Sequence, residues 1–152
     1  VLRAALLADL NALLELEGAS FPGDRLSRRQ LRHLLSGQAR CDCLVWTDAA
    51  DSVVGAVVVL YRRNSRRARL YSIAVAAAAR GRGVGGQLLV AAEQAARARG
   101  CDELRLEIRQ DNPASIALFS AAGYRRFGER PGYYEDGMHA WRYCKELKAD
   151  DV

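Results

Sequence analysis

Lysine is almost missing from this chain: 23 residues are basic, and only Lys145 and Lys148 are not Arg. The net charge of +5 favours anionic partners. The preference for Arg over Lys also fits a genome-wide composition bias, which says nothing about function. Cysteine is sparse, at four residues, and no pair forms C-x-x-C. With only His33 and His139 to add, that pattern argues against a zinc site. Cys41, Cys43, Cys101 and Cys144 are expected as reduced, mostly buried thiols of a cytoplasmic protein. No apolar run approaches the ~20 residues of a membrane-spanning helix. No signal-peptide pattern is visible at the start, and no Gly-Lys-Ser/Thr is present, which excludes a P-loop. There is no internal repeat and no low-complexity linker. What remains is 152 residues, half of them hydrophobic. That predicts one domain over 1–152, able to bury a core without disulfides or metal.

Apolar patterning divides the chain into short strands and a few helices. Strands are expected at Val1–Ala5, Cys43–Thr47, Val53–Tyr61, Arg69–Val75, Glu103–Arg109, Tyr124–Glu129 and Met138–Leu147. Asp9 is placed to cap a helix carrying Leu10, Leu13, Leu14 and Leu16, weakened at its end by Gly18. Phe21-Pro22-Gly23 breaks the chain. Ser27 then caps a second helix, with Leu31, Leu34 and Leu35 as its buried stripe and Gly37 at its end. A long helix spans Val84–Arg99, and Pro113 opens another that ends near Gly123. The sum is an α+β domain: a mixed, mostly antiparallel seven-stranded sheet with helices on both faces.

The most informative stretch is Ile73-Ala74-Val75 followed by Arg80-Gly81-Arg82-Gly83-Val84-Gly85-Gly86. A strand ends, and a glycine-rich turn opens the long helix. Glycine admits positive φ and leaves no Cβ between backbone and ligand. The first N–H groups of a helix lack intrahelical partners and carry the positive end of its dipole. With Arg80 and Arg82 beside them, these donors suit a phosphate or pyrophosphate. Gly81-x-Gly83-x-x-Gly86 also satisfies the dinucleotide-binding pattern, with Glu107 about twenty residues further on. The intervening Ala76–Arg80, and the single strand–helix–strand unit that follows, speak against that reading.

Arg80-x-x-Gly83-x-Gly85 behind Ile73-Ala74-Val75 resembles the acyl-CoA motif of the GNAT superfamily of N-acetyltransferases. The resemblance continues through Asn112–Phe119, Ala122-Gly123-Tyr124 and Tyr133-Tyr134-Glu135-Asp136-Gly137. The later pieces look most like the ribosomal-protein N-terminal alanine acetyltransferases. The resemblance implies an acetyl-CoA-dependent transferase acting on a primary amine by direct attack in a ternary complex. Alternatives are a small-amine (polyamine or aminoglycoside) acetyltransferase and a non-catalytic acyl-CoA-binding or nucleic-acid-associated module. It implies that pantetheine pairs with the backbone of Ile73, Ala74 and Val75, with an N–H there facing the thioester carbonyl. It implies cofactor contacts at Arg80–Gly86, Asn112, Ser115 and Phe119. It makes Glu107 the general base, and places Tyr133 and Tyr134 against a protein N-terminus.

Each role has a plainer counterpart. Asn112 can simply cap its helix. Alternation in Leu104–Arg109 puts Arg105, Glu107 and Arg109 on one face, where Glu107 can serve only an ion pair. One residue departs from the family pattern: the helix position twelve after Glu107, a tyrosine acid in the alanine acetyltransferases, is Phe119. Tyr124, Tyr133 and Tyr134 are the remaining hydroxyls for that task. Arg62–Arg69 holds five arginines in eight positions, either a solvated hairpin tip or a contact with ribosome or nucleic acid. No aromatic residue is interleaved there to stack bases.

Overall fold

A computed structural model describes residues 1–20 and 26–148; the expected break at Phe21-Pro22-Gly23 lies outside them. The chain opens with β1 (Leu2–Ala4), α1 (Leu10–Ser20) and α2 (Arg28–Leu35). A three-stranded meander follows: β2 (Cys41–Thr47), β3 (Val53–Tyr61) and β4 (Arg67–Val75). Then come α3 (Val84–Ala98), β5 (Glu103–Arg109), α4 (Pro113–Ala121), β6 (Arg125–Arg130) and β7 (Ala140–Glu146). The strands form one sheet in the order β1-β2-β3-β4-β5-β7-β6. Every pair is antiparallel except β4–β5. α3 and α4 cover one face, packing Val84, Leu88 and Phe119 on Val57, Val59, Leu70 and Leu106. α1 and α2 cover the other, with Leu13 and Leu31 on Val45, Val58 and Ala74. No helix of the described residues is long and apolar enough to cross a membrane.

Local chemistry explains most boundaries. Ser27 and Gln30 cap α2 reciprocally: Gln30 N–H donates to Ser27 Oγ at 3.1 Å, and Ser27 N–H to Gln30 Oε1 at 2.8 Å. Gly37 follows α2 at φ +83°. Asp9 behaves differently from the sequence expectation. It closes a 3-10 turn backwards, accepting Leu6 N–H at 2.7 Å, and pairs with Arg3 at 2.8 Å. The Arg3 hydrogen bonds hold its carboxyl below the usual carboxylate range. Gly18 does not end α1, which runs to Ser20 because Leu10, Leu13 and Leu16 bury one continuous stripe.

Two features of β4 shape the site. Val58 faces Ser72 and Val59 faces Leu70, so Tyr71 is an extra, bulged residue. A bulge exchanges the two faces of a strand. Ala68 and Leu70 accordingly pack under α3, whereas Ala74 packs under α1. The second feature is divergence. β4 pairs with β5 only at Arg67–Arg69 against Glu103–Arg105. Beyond that point the strands part, leaving a wedge between Leu70–Val75 and Leu106–Arg109.

Candidate active site

The wedge leads to the start of α3, where glycine sets the backbone. Gly81 (φ +78°) and Gly83 (φ +77°) lie in the left-handed region, and Gly83 is the N-cap. The first bond of α3 runs from Gln87 N–H to Gly83 O at 3.1 Å, so the N–H groups of Val84, Gly85 and Gly86 point out of the helix end. A Cβ built at Gly81, Gly83 or Gly86 meets nothing within 4 Å. That open cradle of donors fits a pyrophosphate. Val84 contributes through its backbone alone, since its side chain lies in the core. Gly85 lies against the strand end, with an added Cβ 3.7 Å from Val75 Cγ2. Arg82 is exposed beside the cradle. Arg80 turns back, and its Nε donates to Val75 O at 3.1 Å.

The register of β4 decides which of its backbone groups face the wedge. Ala76 N–H bonds Val54 O at 2.8 Å. Antiparallel ladders alternate bonded and non-bonded pairs, so Gly55/Val75 and Val57/Ile73 are non-bonded pairs. The N–H and C=O of Ile73 and Val75 therefore point away from β3, into the wedge. Ala74 is a correction to the sequence reading. Its backbone groups are taken by Ala56 across the β3 ladder, and its side chain is buried under α1.

At α4, Asn112 Oδ1 accepts Ser115 N–H at 3.1 Å, a helix cap with Pro113 at the first turn. Phe119 is 3% exposed in the core, edge-on to Tyr124 at 5.4 Å between ring centroids. Its ring is core and offers no hydrogen bond. Tyr124 is no substitute acid. Its hydroxyl donates to Glu93 at 2.8 Å, and Lys145 Nζ reaches the same carboxylate at 3.0 Å. Burial, then the Glu93 hydrogen bond, pushes Tyr124 above the ordinary tyrosine range. This polar cluster beneath α3 has no sequence signature beyond a lone Glu on an alanine-rich helix face.

Glu107 sits on the face away from α3, just past the last β4–β5 pair, with its side chain 8% exposed. Arg69 Nε donates to Glu107 Oε2 at 3.3 Å, and Arg69 Nη2 also hydrogen-bonds the Tyr133 hydroxyl. Arg130 Nε lies 3.8 Å from Glu107 Oε1, its guanidinium over the Tyr133 ring. Tyr133 and Tyr134 meet edge to face at 5.0 Å. The loop that carries them is pinned by Arg109, which pairs with Asp136 at 2.7 Å and stacks over Tyr134. So Glu107, Tyr133 and Tyr134, chosen separately from the sequence, converge on one place. Arg69, in sequence one member of the basic run, is the residue that joins them. Of that run, Arg66 pairs with Asp102 at 2.9 Å and Arg67 with Glu103 at 3.5 Å. Arg62, Arg63 and Arg66 line an open cavity of about 610 Å³ with Arg40 and Arg99. That cavity lies at the C-terminal end of α3, whose 15 residues separate it from the glycine loop by about 22 Å.

A mixed sheet, one parallel pair that opens into a wedge, and a glycine cradle at its mouth define an acyl-CoA transferase fold. Residues 10–124 match the Acetyltransferase (GNAT) family, and the chain belongs to it; the family uses acetyl-CoA. The chain is 34% identical over 149 residues to an uncharacterized protein of Mycobacterium leprae, covering 93% of this chain and 39% of that one. It is 29% identical over 96 residues to N-alpha-acetyltransferase 30 of Schizosaccharomyces pombe, covering 61% of this chain and 64% of that one. Among solved structures, ribosomal-protein-alanine N-acetyltransferase from Brucella melitensis aligns with a TM-score of 0.83 at 26% identity, over 97% of this chain and 99% of that one. The chain thus spans less than two thirds of the length of these curated relatives.

Proposed function

We propose that this domain transfers an acetyl group from acetyl-CoA to the α-amine of a protein or peptide N-terminus, by direct attack with both substrates bound. The observation that carries the reading is Glu107: an enclosed carboxylate where the wedge opens, coupled through Arg69 to the tyrosines of the β6–β7 loop. The names of two relatives, an N-alpha-acetyltransferase and a ribosomal-protein-alanine N-acetyltransferase, support it.

Bound acetyl-CoA supplies the activated thioester carbonyl. The chain does the rest. Gly81, Arg82, Gly83 and the N–H groups of Val84–Gly86 hold the pyrophosphate at the wedge mouth. The backbone of Ile73 and Val75 aligns the pantetheine arm, and Val75 N–H is the donor for the thioester oxygen. An ammonium has no lone pair, so a base must take its proton before attack. Glu107 does this through Oε1, while Arg69 holds Oε2 and fixes the rotamer. Tyr133 and Tyr134 wall the acceptor on the other side. The unpaired cysteines suit a cytoplasmic setting. Arg62 and Arg63, with Arg40 in the basic cavity, suit proximity to ribosomal or other RNA phosphates.

Thiol release from acetyl-CoA, measured across peptide N-termini, lysine peptides, polyamines and aminoglycosides, tests the reading. Peptide N-termini are expected to turn over best. Efficient turnover of small amines with inert peptides overturns the assignment.

A further inference from the structure

The acceptor side of the sheet holds more positive charge than Glu107 requires. Alternation along β5 and β7 puts Arg105, Glu107 and Arg142 on the face away from α3, and Arg142 is the cross-strand neighbour of Glu107. Arg130 of β6 points to the same side, as does Arg69 of β4. The carboxylates that pair with these guanidiniums are Glu103 and Glu107. Glu103 is bonded by Arg105 and also lies 3.5 Å from Arg67. Glu107 is shared by Arg69 and Arg130. Arg142 has no ion pair among the described residues.

Arg142 is held rather than loose. Its guanidinium stacks over Phe127 at 4.7 Å, and Arg105 covers the same ring at 4.6 Å. The bulge between Arg126 and Gly128 turns Phe127 to this face. Gly128 packs against the Arg142 stem, where a Cβ would lie 3.7 Å from Arg142 Cδ, an ordinary contact. Arg142 Nε is buried with no hydrogen-bond partner. Burial, then repulsion from Arg130, pulls its pKa below the usual guanidinium value. A buried N–H donor amid like charges is a costly arrangement, and an anion relieves it.

Resting on the transfer reading above, we propose that Arg142, with Arg105 and Arg130 beside it, forms a carboxylate-binding subsite, and that the acceptor carries a carboxylate next to its amine. Cross-strand neighbours stand about 5 Å apart at Cβ. An amine at Glu107 and an anion at Arg142 therefore belong to one residue of the acceptor. Two sources share that chemistry: an acidic side chain on the first residue of a peptide, and the α-carboxylate of a free amino acid. The planar guanidinium fork matches a carboxylate's two oxygens. The site then reads the acceptor as a charge pair, cation to Glu107 and anion to Arg142.

The test compares kcat/KM for peptides beginning with Asp or Asn and otherwise identical, and for free glycine against glycinamide. The wild-type protein is expected to favour the acid by about tenfold or more, as a charged hydrogen bond does. Arg142→Met should bring the acid-to-neutral ratio within about twofold of one. Arg142→Lys, which keeps charge but loses the fork and the ring stacking, should fall between. If Arg142→Met does not fold by circular dichroism, the Lys variant carries the test. A wild-type ratio of one or less, or a ratio unmoved by both variants, overturns the subsite. Neutral peptides turning over as well as acidic ones sinks the subsite and leaves the N-terminus reading standing. Free amino acids turning over while peptides do not sinks the N-terminus reading and leaves the subsite. Should no acceptor release thiol, N-acetyl-Asp and N-acetyl-Asn product peptides are titrated calorimetrically into the protein with CoA. Equal affinities then overturn the subsite.

Discussion

The two ends of the wedge are built on different principles. The donor end is backbone: positive-φ glycines, free N–H groups at a helix start, and strand edges at Ile73 and Val75. Few side chains take part, and its residues lie within one stretch, 73–86. The acceptor end is side chain. Arg69, Glu107, Arg130, Tyr133 and Arg142 come from four strands and a loop, and their order is fixed by ion pairs and ring stacking. A backbone site recognises a shape shared by all acyl-CoA donors. A side-chain site can be retuned residue by residue, which is where specificity belongs. The two ends should therefore respond differently to mutation.

The largest effect is expected at the acceptor end. Glu107→Gln keeps the shape and removes the proposed base, so kcat should fall by about 10²–10⁴-fold. Acetyl-CoA affinity, measured by calorimetry, should stay within about twofold, because the donor end is untouched. If Glu107→Gln keeps full turnover with an amine acceptor, Glu107 serves only its ion pairs.

The same contrast explains what the sequence made visible. The strand pattern, the helix cap at Ser27 and the glycine turn depend on neighbours in the chain, and each appears where patterning places it. The sheet's mixed, mostly antiparallel character follows from the short turns of the β2–β3–β4 meander and the α3 crossover that makes β4–β5 the parallel pair. The bulge at Tyr71 has no such local signal, yet it decides that Ser72 turns to Glu17 of α1 and that Ala74 is closed to the wedge. Arg69 is one arginine among five until β5 brings Glu107 beside it. Arg142 is legible only as the off-phase residue between Trp141 and Tyr143, and its importance depends on the cross-strand register with Glu107. Phe119 reads as a missing catalytic group; the structure adds that its ring is core.

At the donor end, binding should fall whichever way stability moves. Gly86 lies inside α3 with no positive φ, and a Cβ there meets nothing. Gly86→Ala should stabilise the helix by about 0.5–1 kcal/mol. The added methyl lies beside the exposed N–H groups of the first turn and should weaken acetyl-CoA binding several-fold. Gly83→Val adds strain, since Gly83 sits at φ +77°. It should lower the melting temperature and weaken acetyl-CoA binding by about tenfold or more. Unchanged affinity in both variants places the pyrophosphate elsewhere.

The smallest effect is expected at Phe119. Restoring a hydroxyl by Phe119→Tyr tests whether a proton donor for the departing thiolate matters. A thiol has an unperturbed pKa near ~8.5, so its thiolate leaves readily and takes a proton from water. The residue is 3% exposed and edge-on to Tyr124, so the hydroxyl must find a partner in the core or emerge into the wedge. If it stays in the core, overpacking and an unsatisfied hydroxyl cost about 1–3 kcal/mol, read as a fall in melting temperature. If it emerges, stability holds and the pH–rate profile gains an alkaline limb near the tyrosine pKa of ~10. In either case kcat at neutral pH should stay within about threefold, and Phe119→Leu should cost far less than Glu107→Gln. A rise of about a hundredfold on restoring the hydroxyl contradicts this, and shows that leaving-group protonation limits turnover.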